Sequence, residues 1–73
     1  MPYKQETIYT MECSRVEGLT AMIHFVPGEG WDVYYKKPGY PFVYAFGLPA
    51  VHTSAQAFDV AQLNADRFLD LFD

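Results

Sequence analysis

Leu19-Thr20-Ala21-Met22-Ile23-His24-Phe25-Val26 is the stretch on which the fold of this chain turns. Its odd positions, Leu19, Ala21, Ile23 and Phe25, are all apolar, while Thr20, Met22, His24 and Val26 hold the even ones. A period of two is the mark of a strand with one buried face. Upstream, Tyr9, Met11 and Cys13 repeat the odd apolar pattern against Glu6, Thr10, Glu12 and Ser14. Between the two runs, Val16-Glu17-Gly18 fits a three-residue hairpin loop whose last residue is left-handed, a conformation glycine takes without a Cβ clash. The expected register pairs Arg15 with Leu19, Cys13 with Ala21, Met11 with Ile23 and Tyr9 with Phe25, so that both apolar sets share one face.

Downstream, Pro27-Gly28-Glu29-Gly30 interrupts the pattern, and Trp31, Val33 and Tyr35 resume it against Asp32, Tyr34 and Lys36. Counting the connection as five residues, Val26 to Gly30, keeps Trp31 in phase with Phe25. Lys37-Pro38-Gly39-Tyr40-Pro41 is a second turn, and the aromatic run Phe42 to Phe46 is a short fourth strand that Gly47 and Pro49 end. The last third changes period. Thr53 and Gln56 have capping-box spacing, and Phe58, Ala61, Ala65, Phe68, Leu69 and Phe72 recur at helical intervals. The expectation is an α+β domain spanning 1–73: a four-stranded antiparallel meander over 6–14, 19–26, 31–36 and 42–46, with one C-terminal helix over 54–72 packed on one face.

Seventy-three residues make one small domain at most. At 51% hydrophobic and 18% aromatic the chain is too rich in core-forming side chains to stay disordered. Nine acids against five bases give a net charge of −4, which disfavours attraction to nucleic-acid phosphates or an anionic membrane surface. The single cysteine, Cys13, has no internal disulfide partner, and the first residues lack the basic start and apolar run of a secretion signal. These features lead us to expect a soluble, cytoplasmic protein.

Two surfaces stand out. On a helical wheel Asp59, Asp66, Asp70 and Asp73 fall on one side, beside the apolar stripe. Asp66 and Asp70 repel across one turn, and acids near a helix C-terminus oppose its dipole. This row is therefore either a solvated face or a docking edge for a basic partner. The even face of the sheet carries Met22, His24, Tyr34, Phe42, Tyr44 and Phe46, together with Ile8 and Val26, which is very apolar for contact with bare solvent. Either residues 47–53 fold over it, or the fourth strand has the reversed register, or a partner or second copy sits there.

Chemistry-bearing constellations are sparse. The expected register places Cys13 and His24 on opposite faces, so they do not form a nucleophile–base pair. Glu12, His24 and Asp32 share a face without a metal-ligand spacing motif, and Pro27-Gly28-Glu29-Gly30 lacks the Gly-Lys-Ser/Thr of a phosphate loop. Lys36 and Lys37 beside Tyr35, Tyr40 and Tyr44 form a single basic, aromatic spot on an acidic chain. No catalytic residue, metal or cofactor is expected. The expected function is a non-enzymatic protein–protein interaction module. In its sharper form this is a small acidic inhibitor, a DNA mimic that occupies a partner's basic or nucleic-acid-binding surface, as phage-encoded anti-defence proteins of the anti-CRISPR kind do. The alternative is a dimeric small-ligand-binding or accessory subunit with a pocket on the aromatic face near His24, Tyr34 and Tyr44.

Overall fold

The period-two runs form strands and the start of the helical run forms an α-helix. In a computed structural model, residues 7–13 and 16–72 are described, with side chains for 8–13 and 16–68. The elements in chain order are β1 (Thr7–Glu12), β2 (Thr20–Val26), β3 (Gly30–Lys36), β4 (Val43–Leu48) and α1 (Ser54–Leu63), followed by a 3-10 helix (Ala65–Phe72). The strands form one antiparallel sheet in the order β1-β2-β3-β4, the expected meander. Residues 6 and 14, at the ends of the predicted first strand, and Arg15, predicted to pair with Leu19, lie outside the described residues.

The odd faces of β1, β2 and β3 turn toward the helix. Leu19, Ala21, Ile23, Trp31, Val33 and Tyr35 are buried there against Ala57, Ala61 and Ala65. All three alanines are wholly buried, so at Ala57 and Ala61 α1 meets the sheet through methyl groups and its backbone comes close, while Phe58 packs on Tyr9. That closeness lets the Tyr35 hydroxyl donate to the Ala61 carbonyl at 2.6 Å. Ala61 stands in the last turn of α1, where carbonyls have no intrahelical N–H to accept, so a strand side chain satisfies a helix terminus. Thr53 and Gln56 form the predicted capping box at the other end, with Gln56 N–H donating to Thr53 Oγ1 at 3.1 Å and Thr53 N–H to Gln56 Oε1 at 2.9 Å.

Three sequence-based expectations are corrected. In the first hairpin Tyr9 pairs with Ile23 and Met11 with Ala21, two residues away from the expected register, and Cys13 N–H donates to Leu19 O at 2.8 Å. The turn closes between Val16 and Leu19 with Gly18 at φ +80°, and Val16 packs its side chain on the core. A shift of two keeps the faces, so the core is unaffected. The second hairpin pairs Phe25 with Trp31 as expected.

The predicted single helix over 54–72 divides at Asn64. The Asn64 side chain donates back to the Val60 carbonyl at 2.9 Å, the local competition with the backbone that makes asparagine a helix terminator. The chain then tightens to a 3-10 helix, in which residues three apart align. Ala65 and Phe68 thus share one side, and Phe68 stacks on Tyr35 and Phe46 with ring centroids at 5.7 and 5.1 Å. The side chains of Leu69 and Phe72, placed on the apolar stripe from sequence, lie outside the described residues.

The third correction concerns the fourth strand, predicted over 42–46 and found over Val43–Leu48. Gly47 does not end it but lies within it, opposite Asp32. Phe42 precedes the strand, and a register shift between Val33 and Tyr34 makes Ala45 an extra residue on β4. Such a bulge reverses the facing of everything beyond it. Val43 pairs with Tyr35 and Phe46 with Val33, both on the helix side, while Tyr44 pairs with Tyr34 on the other.

Burial pushes the Tyr35 phenol well above its ordinary pKa, with the nearby Cys13 and Asp66 charges adding to the effect. A phenol that holds its proton more tightly when folded than when unfolded stabilises the fold fully below about pH 10. That contribution is lost as the pH rises beyond it, because the unfolded chain ionises first. Tyr35→Phe removes the bond to Ala61 as well. It is expected to lower stability at pH 7 by about 1–3 kcal/mol and to flatten the alkaline decline of wild type, as read from urea unfolding between pH 7 and 11.

Candidate functional site: the open face of the sheet

Among the described residues, one face of the sheet has no helix on it. α1 and the 3-10 helix pack on the odd side, and the segment that joins β4 to α1 goes the same way, held by a 2.8 Å bond from Trp31 Nε1–H to the His52 carbonyl. Trp31 belongs to the core, so residues 49–53 cross the edge of the helix layer and do not close over the even face. Gly30 makes this passage: at φ +134° its backbone lies against the Leu48 carbonyl, where any Cβ would collide.

The pairing arranges the open face in rows across the strands. Thr10, Met22, Tyr34 and Tyr44 form the central row, with Ile8, His24, Asp32 and Gly47 on one side and Glu12, Thr20 and Lys36 on the other. Tyr34 and Tyr44 meet edge to face, ring centroids 5.6 Å apart, and the Tyr44 hydroxyl lies over Gly47, 3.4 Å from where a Cβ would stand. Ile8 remains 56% exposed and Tyr44 51%, while Met22, His24, Tyr34 and Phe42 are half-buried. Antiparallel sheets with one wet face ordinarily place polar residues on it. This one presents Ile8, Met22 and two tyrosines among Thr10, His24, Asp32, Glu12, Thr20 and Lys36.

Of the six residues assigned to this face from sequence, Met22, His24, Tyr34 and Tyr44 lie on it. Phe42 sits at its margin, just before β4. Phe46 does not belong: the bulge at Ala45 turns it to the helix side, where it packs on the core against Phe68. The sequence offered a faint signal for this, since Phe46 and Leu48 share a parity that suits a partner for Val33 and Trp31, whereas Val43 has the opposite one.

The acidic row is only partly described. Asp59 on α1 and Asp66 on the 3-10 helix are both exposed; the side chain of Asp70 and all of Asp73 lie outside the described residues. Because the helix divides at Asn64, the constant angle per residue that aligned these acids from sequence does not carry across from Asp59 to Asp66. Cys13 is buried on the helix side and burial pushes its thiol up, the reverse of what a reactive cysteine needs. His24 lies on the opposite face, across from Ile8 and Asp32. Among the described residues no three His, Cys, Asp or Glu side chains group to hold a metal ion, and no helix is long and apolar enough to cross a membrane. Among the described residues, hollows of about 210 to 280 Å³ lie around Gly30 and Pro49, beside Trp31 and His52, and between β4 and Asn64, and these are lined by neither His24, Tyr34 nor Tyr44.

The two faces respond differently to truncation. Phe46→Ala is expected to cost about 2 kcal/mol by removing core area, whereas Tyr44→Ala, on the open side, is expected to change stability by less than about 1 kcal/mol. Paired urea titrations check this, and equal costs would return Phe46 to the open face. In comparisons with known proteins, no family model matches the chain, and neither a curated protein nor a solved structure matches it.

Proposed function

We propose that this chain is a non-enzymatic protein–protein interaction module that engages its partner through the open face of the sheet. The observation that supports this reading is that, among the described residues, both helical elements lie on one side, while Ile8, Met22, Tyr34 and Tyr44 neighbour one another on the other. Tyrosine and methionine are suited to such a contact, the first because it contributes large area with few rotors to freeze, the second because its soft side chain adapts to the opposing surface. Lys36 and Asp32, on either side of the Tyr34 row, add charge of both signs that orients a partner more than it strengthens binding.

A second reading rests on the exposure of Asp59 and Asp66. In it the helix edge, with Asp70 and Asp73, docks on a basic surface, and the chain acts as a small acidic inhibitor whose carboxylates stand where nucleic-acid phosphates do. The two readings use opposite sides of the molecule, so variants separate them. Tyr34→Ser with Tyr44→Ser alters the sheet face; Asp59→Lys with Asp66→Lys alters the helix edge. Each variant and wild type, matched in circular dichroism, serve as bait in cross-linking and mass spectrometry on an extract of the source cells. The face reading expects a partner held by wild type and by the aspartate variant but lost with the tyrosine variant. The opposite pattern overturns it in favour of the acidic edge, and retention by both variants overturns both readings.

A further inference from the structure

The outer edge of β1 has a backbone pattern that complements itself. Cys13 N–H donates to Leu19 O, and in an antiparallel pair bonded and non-bonded residues alternate. Thr7, Tyr9 and Met11 therefore exchange their main-chain bonds with β2. The N–H and C=O groups of Ile8, Thr10 and Glu12 point the other way, out of the sheet. Natural edges are usually blunted by a bulge, a proline, a lysine or a covering segment. The opposite edge has such devices, since β4 carries the Ala45 bulge and runs into Pro49. β1 pairs with β2 without a register shift, contains no proline or lysine, and leaves Ile8 and Tyr9 56% and 42% exposed on its two faces.

We propose that β1 pairs antiparallel with β1 of a second copy, about a two-fold axis perpendicular to the sheet at Thr10. This register lets every outward group of the described strand find a partner: Thr10 bonds with Thr10 of the second copy, and Ile8 with Glu12 in both directions, about six backbone hydrogen bonds in all. Moving the axis to Tyr9 or Met11 leaves Glu12 or Ile8 without a partner inside the strand. The side chains agree with the backbone. On the helix side Tyr9 stands opposite Met11, an aromatic–thioether contact made twice. On the open side Ile8 flanks Glu12, a threonine pair marks the axis, and the two Glu12 carboxylates are set apart at opposite ends. The axis keeps faces together, so both helices lie on one side of an eight-stranded sheet and the two open faces become one continuous surface. The interface is independent of the proposed docking function: it uses the edge, and the face stays free.

Sedimentation from low micromolar to near-millimolar concentration tests the idea, with wild type expected to pass from one chain to two. Thr10→Pro removes an N–H that donates only across the edge, leaves the bonds to β2 intact, and is expected to weaken self-association at least about tenfold. On a Cys13→Ala background, Thr10→Cys places two thiols across the axis at the roughly 5.5 Å Cα separation of a bonded antiparallel pair, within reach of a disulfide. Oxidation is expected to yield a covalent dimer with Thr10→Cys and not with Asp59→Cys on the same background. A chain that stays monomeric throughout, a folded Thr10→Pro variant that dimerises like wild type, or equal cross-linking from Asp59→Cys each overturns the proposal. Loss of partner capture by the tyrosine variant with dimerisation intact separates the two functions.

Discussion

The hydrogen bond from the Tyr35 hydroxyl to the Ala61 carbonyl holds the two layers of this protein in place. It requires the helix to lie close, which the methyl-sized side chains of Ala57, Ala61 and Ala65 allow, and it requires Tyr35 to point straight out of the sheet, which the central position of β3 ensures. Burying a phenol without a partner is costly, and so is burying a helix-terminal carbonyl. Each group removes the other's penalty. The pair therefore sets the height and the axial position of α1 over the strands more narrowly than the non-directional burial of alanine methyls can.

A second constraint follows from the first. With α1 committed to the odd face, the connection from β4 has to reach that side within a few residues, and Trp31 receives it by donating to the His52 carbonyl. The close passage of Gly30 under Leu48 and the capping box at Thr53 complete the route. Among the described residues, α1, the 3-10 helix and the segment 49–53 all lie on this side.

The edges complete the picture of a sheet with an inside and an outside in two dimensions. β4 is bent by its bulge, which also carries Phe46 into the stack with Tyr35 and Phe68. β1 pairs with β2 without a register shift. A sheet with one blunted and one regular edge favours a closed pair over an open filament, because the pairing edge is used up by a single two-fold contact.

Periodicity in the amino-acid sequence was enough to determine four strands in a meander, the phase of Trp31 with Phe25, the capping box at Thr53 and the identity of the covered face, because each depends on side chains a few residues apart. Parity also placed Met22, His24, Tyr34 and Tyr44 together. What only the tertiary structure decided were features in which a distant contact outweighs a local pattern. The first loop is two residues longer than the local pattern implies, with Val16 on the core, and the bulge at Ala45 turned Phe46 inward. Asn64 and the stack on Phe68 divided the helix. The hydroxyl of Tyr35 met a helix end twenty-six residues away. Local spacing does not record a partner at that separation, since burial rewards whichever arrangement fills the space and satisfies the polar groups together.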